Sequence, residues 1–243
     1  MDTPATPRSR LAKWILLLLL ASGTVAGVAC LAADEKAGTP SGWPLRILCI
    51  VLGLGTWFLS QALIGSRRND PDKIGDLFHD WTAGWNDWLH AHPRATDGLL
   101  IATSLCIDCF GVFLLGTALV GPSMRPFTAL LILFTLRQLS QGFCALPPPP
   151  KVIWRHPGFP SLLVTYGVSN DFFFSGHTAI AVLGAIEVAS CAPAWLGCIA
   201  GVVAVLEILT VLVLRAHYMM DVIAAILAAT CAWAASTWIF AQP

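Results

Sequence analysis

Residues 171–222 read DFFFSGHTAIAVLGAIEVASCAPAWLGCIAGVVAVLEILTVLVLRAHYMMDV. Two apolar runs lie inside this stretch, Phe172–Cys191 and Trp195–Leu214, and each approaches the ~20 residues a helix needs to cross a bilayer. The chain therefore crosses and returns, which brings the polar strings at its two ends, Asp171–Ala179 and Arg215–Val222, to one membrane face. Working outward, comparable runs occupy Trp14–Ala33, Ile47–Gly65, Leu99–Val120, Phe127–Phe143 and roughly Val222–Phe240. These are seven segments, or six if the first is removed.

Composition agrees with this reading. The 243 residues are 56% hydrophobic and 12% charged, with a mean hydropathy of +0.73, and a water-soluble domain of that length needs a more polar surface. The expected fold is an all-α polytopic transmembrane bundle, with an N-terminal hydrophobic segment and link over 1–45 and a membrane-embedded domain over 46–243. The first segment follows Arg8, Arg10 and Lys13 and ends in small residues, as a cleavable signal does. Its run is long for a signal peptide, and Gly27-Val28-Ala29-Cys30 is a poor lipoprotein cleavage match, so a retained helix is expected, with cleavage as the alternative. Seven crossings put Arg8, Arg10, Lys13, Arg67, Arg68, Lys73, Arg94, Lys151, Arg155 and Arg215 on one side, against Lys36, Arg46 and Arg125 on the other. The positive-inside bias makes the first side, which carries both polar strings, cytoplasmic.

The formal net charge is zero and no stretch is a basic tract, so nucleic acid is not an expected partner. The eight cysteines fall mostly within apolar runs, where thiols pack as small hydrophobes rather than forming a disulfide framework. Cys106-Ile107-Asp108-Cys109 has a redox spacing but lies in mid-helix.

Two loops flank this core. Residues 66–97 open with a solvated Arg67–Lys73 turn, after which Leu77, Phe78, Trp81, Trp85, Trp88 and Leu89 recur at helical spacing, predicting a helix in the membrane interface. The segment ending at Leu146 is stopped by Pro147–Pro150, each lacking an amide donor. The loop that follows, to Asn170, is long enough to cover a headgroup site.

The chemistry is expected in the two polar strings. An imidazole beside a glycine and two hydroxyls at the mouth of an apolar helix is costly unless it has a partner or a task. If residues 215–222 are helical, His217 and Asp221 share a face, and the carboxylate accepts one ring proton, leaving the other nitrogen free to attack phosphorus. His177, from another helix, would protonate the departing alcohol and later deprotonate the acceptor. Cations must hold the non-bridging oxygens: Arg215 and Arg137 both fall at this face, Ser175 and the amide of Gly176 could add hydrogen bonds, and Arg215 is preferred to Ser175 because a fixed charge is worth more in a dry site. Two alternatives stand beside this reading. The same residues could hold crossings together through hydrogen bonds, or two His and an Asp could ligate zinc; the arginines suit an anionic substrate better, so neither metal nor cofactor is expected. Asp108, Glu187 and Glu207 are predicted to face the bundle interior, where each would otherwise cost about 3 kcal/mol if charged and facing lipid. Arg125 beside Pro126 reads as an interfacial anchor.

Ser175-Gly176-His177-Thr178 and His217-Tyr218-Met219-Met220-Asp221 resemble the third and fourth motifs of the sphingomyelin synthase branch of the lipid phosphate phosphatase superfamily, which also includes plant phosphatidylcholine:diacylglycerol cholinephosphotransferase. Arg137 followed by Leu146-Pro147-Pro148-Pro149 resembles the branch's second motif, and Asp171 fits the acid that precedes Ser-Gly-His there. The likeness is specific over roughly 130–235 and vague at Pro71-Asp72 through Asp80. It implies a six-helix core in which His217 attacks a phosphodiester to give a phosphohistidine, Asp221 orients it, and His177 serves leaving group and acceptor. The wider phosphatase signature is incomplete: Ala118 stands where its Lys would precede Arg125-Pro126, and Val211 where an Arg would precede the second histidine. Arg215 instead resembles the plant cholinephosphotransferase arrangement. Sphingomyelin synthases act on the luminal or exoplasmic face, whereas the charge bias here points to the cytoplasm.

The expected function is transfer of a phospho-headgroup from a glycerophospholipid donor to diacylglycerol or a ceramide-like acceptor. Hydrolysis of a lipid phosphate or phospholipid is the alternative, and a noncatalytic lipid-binding protein a further one. Choline recognition favours an aromatic cage, for which Tyr166, Trp154 and Phe172 are available, although aromatic residues are ordinary at interfaces.

Overall fold

A computed structural model describes residues 7–37, 42–65, 74–166 and 172–241. The regular structure of these residues is helical: α1 (Pro7–Lys36), α2 (Trp43–Gly65), α3 (Leu77–Trp81), α4 (Ala83–Ala91), α5 (Pro93–Val120), α6 (Arg125–Phe143), α7 (Gly176–Cys191), α8 (Ala194–Val213) and α9 (Met219–Ala241), with a long non-helical loop between α6 and α7. Five of them, α1, α2, α5, α8 and α9, are long and apolar enough to cross a membrane. The chain is a polytopic helical membrane protein.

The remaining two predicted crossings are shorter or more polar than expected. Phe172–Ser175 is not helical, so α7 has 16 residues and spans about 24 Å at 1.5 Å per residue. Helix α6 carries Arg125 and Arg137 within 19 residues. Both are nonetheless central to the bundle. α7 packs against α8, α9 and α5, and α6 against α9, α5 and α2.

Hydrophobic burial cannot drive association between helices already in lipid, so close packing must, and small residues permit it. Ala225, Ala229 and Ala232 form a fully buried seam along α9. Gly184 on α7 admits the ring of Phe110 from α5. At the hairpin between α7 and α8, a Cβ on Gly197 would lie 3.0 Å from Ala189. Outward, Ile199, Val202, Val205, Leu206 and Leu209 of α8 are exposed, as a lipid-facing surface requires.

The predicted interfacial helix is two short helices, broken at Thr82. Leu77, Trp81, Trp85 and Trp88 are all exposed, while His79, Asn86 and Leu89 are buried on the opposite side. The tryptophans are thus free for the headgroup layer, and the inward residues reach the loop between α8 and α9.

The intramembrane acids have partners. Glu187 makes a bidentate pair with Arg125, at 2.9 and 2.5 Å. Arg125 is therefore a buried acid's counter-ion rather than simply an interfacial anchor. Glu207 accepts from the Thr103 hydroxyl. Asp108 accepts from Ser161, Leu162 and Leu163 of the loop before α7.

Candidate active site

Ser175 is the N-cap of α7. Its Oγ accepts from the Thr178 amide at 3.2 Å, satisfying a donor that the helix start leaves unpaired, and its own amide donates to the Asp221 carbonyl at 3.3 Å. The mouths of α7 and α9 are thereby joined backbone to backbone, with His177 in the first turn of α7.

The approach to α9 is less regular than the sequence predicts. His217 is not in a helix, because α9 begins at Met219. Helix α8 ends with Ala216 N donating to Val211 O at 2.9 Å and Arg215 N to Leu212 O at 3.0 Å, the paired bonds of a Schellman motif. Arg215 holds the left-handed position, φ +53°, where glycine is usual. Its side chain accounts for that exception: Nη1 donates to the Pro150 carbonyl and Nη2 to the His79 carbonyl, each at 3.0 Å. The guanidinium clamps the loop and α3 to the turn before His217 and does not line the cavity described below.

Asp221 also differs from expectation. Its Oδ2 accepts from the Tyr218 amide at 2.9 Å, the return bond of a capping box at the start of α9. It stands 3.6 Å from His217 Nδ1, too far for a hydrogen bond. Nδ1 instead donates to the Phe172 carbonyl at 2.8 Å. A carbonyl can only accept, so the proton resides on Nδ1 and Nε2 carries the free lone pair. The carboxylate acts on the ring through its field.

His217 and His177 line one cavity with Arg137, Gln61, Gly176 and Trp154. His177 Nε2 is buried and has no hydrogen-bond partner among the described residues, and the ring meets Trp154 edge-on at 4.9 Å. Arg137, on α6, is fixed by Nε donating to the Phe174 carbonyl at 2.9 Å and Nη1 to Gln61 Oε1 of α2 at 3.2 Å. Gly176 lets this guanidinium approach: a Cβ there would lie 3.3 Å from Arg137 Nε. Ser175 is fully buried in its capping role and does not line the cavity. Asp171 lies outside the described residues.

Of the three aromatic candidates, Trp154 and Phe172 line the cavity. Tyr166 supports Trp154 from behind, ring centroids 5.1 Å apart, with its hydroxyl 2.6 Å from Ser104 Oγ. Trp57 and Phe134 complete the aromatic lining. Among the described residues, no group of three His, Cys, Asp or Glu could hold a metal ion.

Asp76 and His79 were not singled out in the sequence. Asp76 Oδ1 accepts from the amides of Phe78 and His79 at the start of α3, and Oδ2 accepts from Met219 N at 2.6 Å. One carboxylate thus caps two helix N-termini, where negative charge is favoured. Buried His79 donates from Nε2 to the His217 carbonyl at 2.9 Å. Burial holds its pKa below 6.5, against the opposing pull of Asp76. The available signal was an acid immediately before the apolar run at Leu77.

The AtPDCT1/2 family model matches residues 76–237, a span that starts at Asp76 and contains every cavity-lining residue named above except Trp57 and Gln61. No curated protein and no solved structure matches the chain. Two histidine strings converging in one cavity, inside a match that covers well over half of the sequence, place this chain in the AtPDCT1/2 family, that of phosphatidylcholine:diacylglycerol cholinephosphotransferase.

Proposed function

We propose that the protein moves phosphocholine from phosphatidylcholine to diacylglycerol through a phosphohistidine on His217 Nε2. The observation that carries this reading is the fixed tautomer of His217: its Nδ1 proton is given to the Phe172 carbonyl, so the other nitrogen presents a lone pair in the cavity that also holds His177.

Nε2 attacks phosphorus, forming a P–N bond as the P–O bond to the glycerol oxygen breaks. His177 gives its proton to that oxygen and diacylglycerol leaves. A second diacylglycerol then loses its hydroxyl proton to His177 and attacks phosphorus, and the P–N electron pair returns to Nε2. Arg137 faces the non-bridging oxygens. Positive charge developing on the His217 ring is stabilised by Asp221 at 3.6 Å. Trp57, Phe134, Trp154 and Phe172 offer ring faces to a quaternary ammonium. The distribution of Lys and Arg favours the cytoplasmic side for this chemistry.

Purified protein in liposomes containing headgroup-labelled phosphatidylcholine tests the reading. With a distinguishable diacylglycerol present, label is expected in the new phosphatidylcholine; a ceramide arm tests the other acceptor. Water-soluble label with and without acceptor would mean hydrolysis and reject transfer.

A further inference from the structure

A second cavity lies beside the histidine cavity, lined by apolar residues that include Gly53, Leu115, Phe127 and Leu131. The two cavities share Trp57, Phe134, Leu163 and Ile180. Three of these stand on helices α2, α6 and α7. Leu163 stands on the loop, which has no regular structure at that point, so its position depends on what holds the loop.

Asp108 on α5 holds it. Its Oδ1 accepts from the Leu163 amide and its Oδ2 from the Leu162 amide, both at 2.9 Å, and the Ser161 hydroxyl bonds the same carboxylate at 3.1 and 3.2 Å. One helical turn further along α5, Gly111 leaves a notch in which the Leu163 side chain sits, so that a Cβ at position 111 would overlap Leu163 Cδ1. An acid in a membrane helix that binds the Leu162 and Leu163 amides, with a glycine beneath the Leu163 side chain, fixes that side chain between the histidine cavity and the apolar one.

We propose that Leu163, pinned by Asp108 and seated over Gly111, is the partition that determines which lipid acyl chains extend from the histidine cavity into the apolar chamber. This rests on the lipid-substrate reading above. Leu163 is a specificity-determining residue and Asp108 a positioning residue.

The test compares turnover of dioleoyl and dihexanoyl phosphatidylcholine in mixed micelles by the intact protein and its Leu163→Ala and Leu163→Trp variants. Leu163→Ala is expected to raise the dioleoyl-to-dihexanoyl ratio of kcat/KM by about fivefold and Leu163→Trp to lower it similarly. Asp108→Ala shifts the ratio in the same sense as Leu163→Ala, with Asp108→Asn between Asp108→Ala and the parent. A purely structural role would lower turnover of both donors alike, and an unchanged ratio in both Leu163 variants overturns the proposal. If the parent transfers no headgroup, the reaction reading fails but the partition remains measurable. A phosphatidylcholine with a diazirine at its chain terminus is then expected to crosslink within residues 111–131 in the parent and less in Leu163→Trp. Equal labelling, or none in that segment, overturns it.

Discussion

Replacing Arg215 with glycine gives the turn the residue its backbone geometry favours, and the protein is nevertheless expected to lose stability. Relief of the left-handed conformation at φ +53° returns about 1 kcal/mol. Against this stand two hydrogen bonds from a charged donor, to the carbonyls of Pro150 and His79, each contributing about 1.5–3 kcal/mol. The net loss is about 2–5 kcal/mol. Arg215→Ala removes the same bonds without the backbone relief and should fall about 1 kcal/mol further. Denaturant titration of the three proteins in detergent, followed by tryptophan fluorescence, measures both differences. An Arg215→Gly protein as stable as the parent would refute the clamp. Equal stability of the Gly and Ala variants would refute the backbone contribution.

Three further expectations follow from the same geometry. Because the Phe172 carbonyl, not Asp221, takes the Nδ1 proton, Asp221→Asn is expected to cost about tenfold in kcat, well short of the ~10⁴-fold seen where the acid alone sets the tautomer; a loss of that larger size in steady-state kinetics would contradict it. Gly176→Ala places a Cβ 3.3 Å from Arg137 Nε and displaces a guanidinium from the reacting phosphate, so kcat/KM should fall by about 10²-fold, while parental values would mean that Arg137 does not hold the phosphate. His79 is held below its ordinary 6.5 by burial, so the unfolded chain binds a proton that the folded chain does not. Stability therefore rises with pH through this region and is lost as pH falls below about 6.5; thermal melts of the parent and His79→Asn should converge toward acid pH, and parallel curves would contradict this.

Much of the architecture was legible because it is written in long, repetitive signals. Two apolar runs flanked by polar histidine strings required a hairpin, and a hairpin required the strings to meet. The backbone bond from Ser175 to Asp221 is the physical form of that inference. What the sequence concealed depends on main-chain partners, which leave no side-chain signature. Nothing in the residue identity of Phe172 announces that its carbonyl takes the His217 proton, and His217 and Asp221 at a four-residue spacing suggest a helical pair where the chain in fact turns before α9. The surroundings of Arg215 were equally hidden. Beside a histidine string it reads as an anion ligand, but the end of α8 leaves it in a glycine position with its guanidinium turned to two carbonyls. Asp76 and His79 act on residues some 140 positions away in sequence, a proximity that no local pattern encodes. Conversely, Arg125 and Glu187 each suggested a separate local role, and their pairing belongs to the packing of α6 on α7.

The most direct measurement traps the covalent species. The protein is mixed with phosphatidylcholine without acceptor, quenched in base and digested, and the peptide containing His217 is weighed. A phosphocholine adduct on His217 is expected, absent from His217→Ala and discharged when diacylglycerol is added before quenching. Turnover that persists in His217→Ala, or an adduct on a different residue, would contradict the assignment of His217 Nε2 as the nucleophile.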